Sequence, residues 1–142
     1  MKIKILIVDD EKDFVETLAE RLKLRDFSVV TAFSGAGAIE IVEKIDFDVI
    51  ILDVLMPEIT GIETLRKIKT IKPLIPVIML TGEATVENAI EGMKLGAFDF
   101  LMKPADTELL AEKIAQAYAV KQEHGERIRE AEINNIIKTR GW

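Results

Sequence analysis

The chain has 142 residues, room for one domain and a short appendage. Apolar residues make up 49% and charged residues 31%, enough for a core under an ordinary soluble surface, and no stretch approaches the roughly 20 apolar residues of a membrane span. The formal net charge of -6 argues against non-specific nucleic-acid binding, and the absence of cysteine excludes disulfides, thiol chemistry and Cys-based metal sites.

Short apolar runs alternate with helical patterns. Ile3-Lys4-Ile5-Leu6-Ile7-Val8 reads as a strand and ends in Asp9-Asp10-Glu11, unlike a signal peptide. Glu11 to Arg25 carries Phe14, Val15, Leu18 and Leu22 at helical spacing. Ser28 to Thr31 is a short strand, and Gly35 to Ile45 a helix entered through Ser34 as N-cap. Asp48 to Leu52 is the third strand, followed by a Pro- and Gly-marked loop, Met56 to Gly61, and a helix over Ile62 to Ile71. Pro73 and Pro76 bracket the turn into a strand over Val77 to Leu80. Thr85 to Leu95 is a helix closed by Gly96. The fifth strand, Phe98 to Met102, precedes Lys103-Pro104 and a helix from about Asp106.

Five βα units with short connections require parallel strands and right-handed crossovers. The expected fold is α/β: a flavodoxin-like, doubly wound, five-stranded parallel sheet in the order 2-1-3-4-5, with a C-terminal helical extension. Residues 121–142 are dense in charge, with Ile128, Ile133, Ile136 and Ile137 as the main apolar residues and Gly125 as a point of interruption or termination. Two readings stay open for this extension: a helix lying on the body or fraying in solvent, and a docking or dimerisation helix.

Ligands of open α/β sheets bind beyond the carboxyl ends of the strands. There the sequence places Asp9, Asp10, Asp53, Thr81-Gly82 and Lys103. Standing alone, Asp10 is a helix cap, Asp9 a turn acid, Thr81 an unremarkable strand end and Lys103 a snorkelling cation. Converging, three carboxylates repel one another unless a cation joins them, and hard oxygen ligands in small number suit Mg²⁺ better than zinc. Asp53 reads as a nucleophile able to form an acyl phosphate, with the Thr81 hydroxyl hydrogen-bonding a phosphoryl oxygen and Gly82 keeping the approach open. Pro104 constrains residue 103, and a cis bond there would aim the ammonium at the site. Phe100 reads first as a core aromatic alternating with Phe98, near enough to Thr81's strand for its ring to change rotamer. His124 has no partners that would make it catalytic.

Together these residues resemble the receiver domain of bacterial two-component response regulators, the chemotaxis-Y-like family. The resemblance covers Lys2 to about Val120 and rests on Val8-Asp9-Asp10-Glu11, Leu52-Asp53-Val54-Leu55-Met56-Pro57, Thr81-Gly82 and Lys103-Pro104 in this order and spacing. It divides the chain into a receiver domain, 1–120, and the extension, 121–142. It implies that Asp53 accepts a phosphoryl group from a sensor histidine kinase or phosphotransfer protein. Asp9, Asp10, Asp53 and the Leu55 backbone carbonyl would bind Mg²⁺. Thr81 and Lys103 would meet the phosphoryl oxygens, and Phe100 would turn inward behind Thr81. The surface of the fourth helix, fifth strand and fifth helix would then be remodelled for an output protein or, through that face or the C-terminal helix, for a homodimer.

Two positions depart from the commonest choices. Leu55 offers no polar side chain to orient water, and Glu83, two residues after Thr81, either orients or repels it; both are expected to tune the phosphate's lifetime. The expected protein is a cytoplasmic signalling phosphoacceptor rather than an enzyme, with no direct contact to nucleic acid and no membrane insertion. A receiver fragment of a longer transcriptional regulator is the nearest alternative. A Mg²⁺-dependent aspartyl-nucleophile phosphatase is a further one, weakened because such enzymes want a second Asp where Leu55 stands. A flavin carrier of the same topology is disfavoured by acids in the first loop, which would repel a phosphate. A P-loop NTPase lacks its Gly-rich motif.

Overall fold

The computed structural model describes residues 2–82 and 86–139. Strands β1 (Lys4–Val8), β2 (Ser28–Ala32), β3 (Val49–Asp53), β4 (Val77–Thr81) and β5 (Asp99–Met102) alternate with helices α1 (Lys12–Lys23), α2 (Gly35–Lys44), α3 (Gly61–Ile71), α4 (Val86–Lys94) and α5 (Thr107–Thr139). The strands form one parallel sheet in the expected order, β2-β1-β3-β4-β5.

Both faces of the sheet are covered, which is why its central strands are continuously apolar. Alternate strand residues serve opposite layers. Leu6, Val8, Ile50, Leu52, Val77 and Met79 pack with Ala38 and Val42 of α2 and Leu65 and Ile68 of α3. Ile5, Ile7, Val49, Ile51, Ile78 and Leu80 pack with Val15, Leu18 and Leu22 of α1 and Leu110 and Ile114 of α5. Phe98 and Phe100 do not share a face, because Phe98 precedes β5 and packs in the α1–α5 layer while Phe100 packs in the other.

The helix ends follow local chemistry. The Ser34 hydroxyl accepts from Gly37 N at 3.0 Å and caps α2, and Thr60 does the same for α3 from Glu63 N at 3.2 Å. Gly96 ends α4 at φ +98°, with Gly96 N bonded to Met93 O and Ala97 N to Gly92 O, the paired bonds of a Schellman turn. Asp10 does not cap α1: Glu11 holds the cap position without a side-chain cap bond.

Gly125 neither interrupts nor ends a helix, since α5 runs through it to Thr139. A lone glycine costs a helix about 1 kcal/mol, which the surrounding Glu, Arg, Lys and Ala residues offset by propensity. Lys121 still grips the body, donating to Phe47 O at 2.9 Å and Asp48 Oδ1 at 3.3 Å, while Asp48 Oδ2 accepts from Lys4 N at 2.8 Å. From Glu126 to Asn135 every residue is exposed. The side chains of Ile136 and Ile137 lie outside the described residues, so the structure leaves both readings of the extension standing.

Candidate functional site

Strand register assembles the site. Val8 lies opposite Leu52, so the next residues, Asp9 and Asp53, emerge side by side between β1 and β3, where the strand order reverses. Asp53 lies opposite Leu80 and Thr81 opposite Met102, so Thr81 and Lys103 follow at the same edge. Two bonds carry this alignment past the strand ends: Asp9 N donates to Ala32 O at 3.1 Å and Lys103 N to Thr81 O at 2.7 Å. The Lys103-Pro104 bond is cis.

The Asp9, Asp10 and Asp53 carboxylates each place an oxygen within 4.8 Å of the others. Asp9 and Asp53 are buried, at 2% and 5% exposure, while Asp10 faces solvent. Lys103 enters from the far side, with Nζ 2.6 Å from Asp9 Oδ2, 3.0 Å from Glu11 Oε1 and 3.8 Å from Asp53 Oδ1. Its ammonium also lies 4.5 Å from the centre of the Phe14 ring. At 2.6 Å the Lys103 ammonium is the charged partner of the buried Asp9 Oδ2. Asp9 Oδ1 accepts from Glu11 N at 2.9 Å.

One ammonium among these acids leaves net negative charge in a partly dry pocket. Burial first, and the Asp9 carboxylate second, push Asp53 up to about 7, against the pull of Lys103 and a backbone bond from Leu55. Burial disfavours the Lys103 ammonium, but Asp9 and Glu11, with Asp53, outweigh it and hold the proton more tightly than usual. Three carboxylates with oxygens within 4.8 Å of one another, two of them buried, are a donor set that fits a small hard dication.

The other expected residues are placed as follows. Thr81 is buried and Gly82 is exposed beside it; a Cβ on Gly82 would come no nearer than 4.0 Å to the Lys103 chain. Leu55 is half exposed and lines a groove with Ile62 and Glu63 of α3 and Asn88 of α4. Phe100 is half buried, opposite Met79 and two register steps below the Thr81 pair. Glu83 lies outside the described residues. His124 is exposed on α5, at the end of the sheet opposite the acids, where it lines a cavity with Pro76 and Phe98. Gly61 is a positional requirement that sequence reasoning treated only as a loop marker: a Cβ there would stand 1.9 Å from Asp53 O and 2.7 Å from Val54 Cα.

A family model described as the response regulator receiver domain matches residues 5–115. The chain belongs to the response regulator receiver family. The receiver is 40% identical over 124 residues to the transcriptional regulatory protein ZraR of Salmonella typhimurium, covering 87% of this chain and 28% of that protein. It thus spans little more than a quarter of that relative's length. Among solved structures, a receiver domain protein from Methanospirillum hungatei superposes with a TM-score of 0.84 at 27% identity, covering 87% of this receiver and 99% of that chain. A receiver domain protein from Clostridium thermocellum gives 0.80 at 37% identity, covering 84% and 97%. Among the described residues, no helix is long and apolar enough to cross a membrane.

Proposed function

We propose that Asp53 is the phosphoacceptor of this receiver and that its phosphorylation switches a protein-interaction surface. The supporting observation is the convergence of Asp53 with two further carboxylates, a buried hydroxyl and one ammonium at the edge where the strand order reverses. In the reaction an ionised Asp53 oxygen forms a bond to phosphorus while the bond from phosphorus to a donor imidazole nitrogen breaks. The electron pair leaves with the imidazole, which is neutral if it carried the proton, and an acyl phosphate remains.

Asp9, Asp10, Asp53 and the Leu55 backbone carbonyl would hold Mg²⁺, which when bound supplies positive charge to offset the crowded anions. The chain's own groups do the rest. Lys103 pairs with a phosphoryl oxygen, Thr81 donates its hydroxyl to another, and Gly82 leaves the approach open. Phe100 follows Thr81 inward, and a covalent anion thereby biases the surface of α4, β5 and α5. Ile90, Met93, Met102 and Leu109 are exposed on those elements and give that surface apolar contacts for an output protein or a second copy. Leu55 and Glu83 set how readily water reaches the phosphate.

The donor in this reading is a sensor histidine kinase or phosphotransfer protein, and the setting is the cytoplasm. The receiver's negative charge keeps nucleic acid from its direct contacts. The division at residues 120 and 121 falls within α5, so the switching domain and the extension share one continuous helix. The 28% coverage of the ZraR relative is compatible with the alternative in which the receiver is one part of a longer transcriptional regulator. Incubation with acetyl phosphate and Mg²⁺ followed by intact mass tests the proposal. One labile phosphate is expected on wild type and none on Asp53→Asn; equal uptake by the two would refute it.

A further inference from the structure

The Lys103 ammonium is bound before any phosphate arrives, and most of what binds it is not Asp53. It stands 2.6 Å from Asp9, 3.0 Å from Glu11 and 4.5 Å from the Phe14 ring centre, but 3.8 Å from Asp53. Glu11 occupies the cap position of α1 yet makes no capping bond, so its carboxylate is directed at Lys103 instead. Its backbone is fixed by the bond from Glu11 N to Asp9 Oδ1, while its side chain is 65% exposed and free to swing away. Phe14 is three residues on, the helical spacing that puts it on the same side as Glu11.

We propose that Glu11 and Phe14 form a holding site for the Lys103 ammonium that competes with the phosphoryl group on Asp53, making Glu11 a positioning residue. This inference rests on the Asp53 reading above. A phosphoryl group on Asp53, whose carboxylate is 3.8 Å from the ammonium, competes for it with the Glu11 carboxylate and the ring face, so the strength of that hold sets part of the cost of the phosphorylated state. An exposed ion pair and a cation–π contact are individually weak, which suits a hold that must be released.

Beryllofluoride, a phosphoryl mimic that binds carboxylates, tests this in the full chain with Mg²⁺, its affinity read by ¹⁹F NMR. Glu11→Gln and Phe14→Leu should each bind it roughly twofold to fivefold more tightly than wild type, and Glu11→Asp should stay close to wild type. Phe14→Leu changes no charge, so an unchanged affinity there, with or without a gain in Glu11→Gln, overturns the holding site and leaves Glu11 acting only through its field. The ¹⁵N signal of the Lys103 ammonium in the unliganded protein gives a second reading: it should move in Glu11→Gln and not in Glu11→Asp, and an unmoved signal in both overturns the tether. Wild type that binds no beryllofluoride while its Lys103 signal still responds to Glu11→Gln would instead refute the Asp53 reading.

Discussion

Lys103 and Asp9, brought together from the ends of the edge strand β5 and the inner strand β1, lie 2.6 Å apart at the floor of the acidic site. Burial and the Asp9 carboxylate push Asp53 beside it up to about 7. The receiver is thus built around an excess of negative charge that a small dication would relieve.

A first consequence is a pH-dependent stability in metal-free buffer. Asp53 has a folded-state pKa of about 7, above its unfolded value of 3.8, so the folded chain binds the extra proton. That proton's stabilisation is fully present below pH ~4 and is lost as pH rises through about 7. Asp53→Asn, which cannot ionise, should therefore gain on wild type across this window, by on the order of 2–4 kcal/mol at pH 8. Urea unfolding of both proteins in chelator at pH 5 and pH 8 measures it. Saturating Mg²⁺ should close the gap by binding the folded wild type; an equal difference at both pH values would contradict the electrostatic account.

Gly61→Ala should destabilise the receiver by about 3 kcal/mol or more, because the added methyl meets backbone of β3 and its loop rather than a movable side chain. Gly82→Ala, whose methyl finds no heavy atom nearer than 4.0 Å among the described residues, should cost less than about 1 kcal/mol. Denaturant midpoints of the two variants compare them directly, and a Gly61→Ala midpoint equal to wild type would show that the β3–α3 loop relaxes freely.

The fold was readable because parallel strands covered on both faces must be apolar throughout, and three helix ends carried local markers: Ser34 before α2, Pro73 after α3 and Gly96 after α4. The site was readable because Asp9, Asp53, Thr81 and Lys103 all fall where apolar runs end. Other features were not. Gly61 looks like any loop glycine until β3 is seen against it. Glu11 looked like one more acid in a string, since only the fold brings Lys103 to it. Gly125 looked like a stop because intrinsic propensity is local, whereas α5 gains from its neighbours along the whole helix.

Removing residues 127–142 should leave unfolding stability within about 0.5 kcal/mol, because residues 126–135 of α5 are exposed and, among the described residues, the last grip on the body is Lys121. Helical ellipticity should fall with the deleted turns. A stability loss that depends on protein concentration would show instead that the extension packs against a second copy.

Glu83→Ala should change the decay rate of the acyl phosphate without changing the residue that carries it. Pulse-labelling with acetyl phosphate, removal of the donor and timed intact mass give the rate, and identical decay in wild type and variant would remove Glu83 from the account.

The most direct measurement is the position of the acyl phosphate itself. After treatment with phosphoramidate and Mg²⁺, borohydride reduction converts a phosphorylated aspartate to homoserine, which peptide mass spectrometry locates. Homoserine at residue 53, dependent on Mg²⁺, is the predicted result; homoserine at residue 9 or 10, or none at all, would contradict the phosphoacceptor reading.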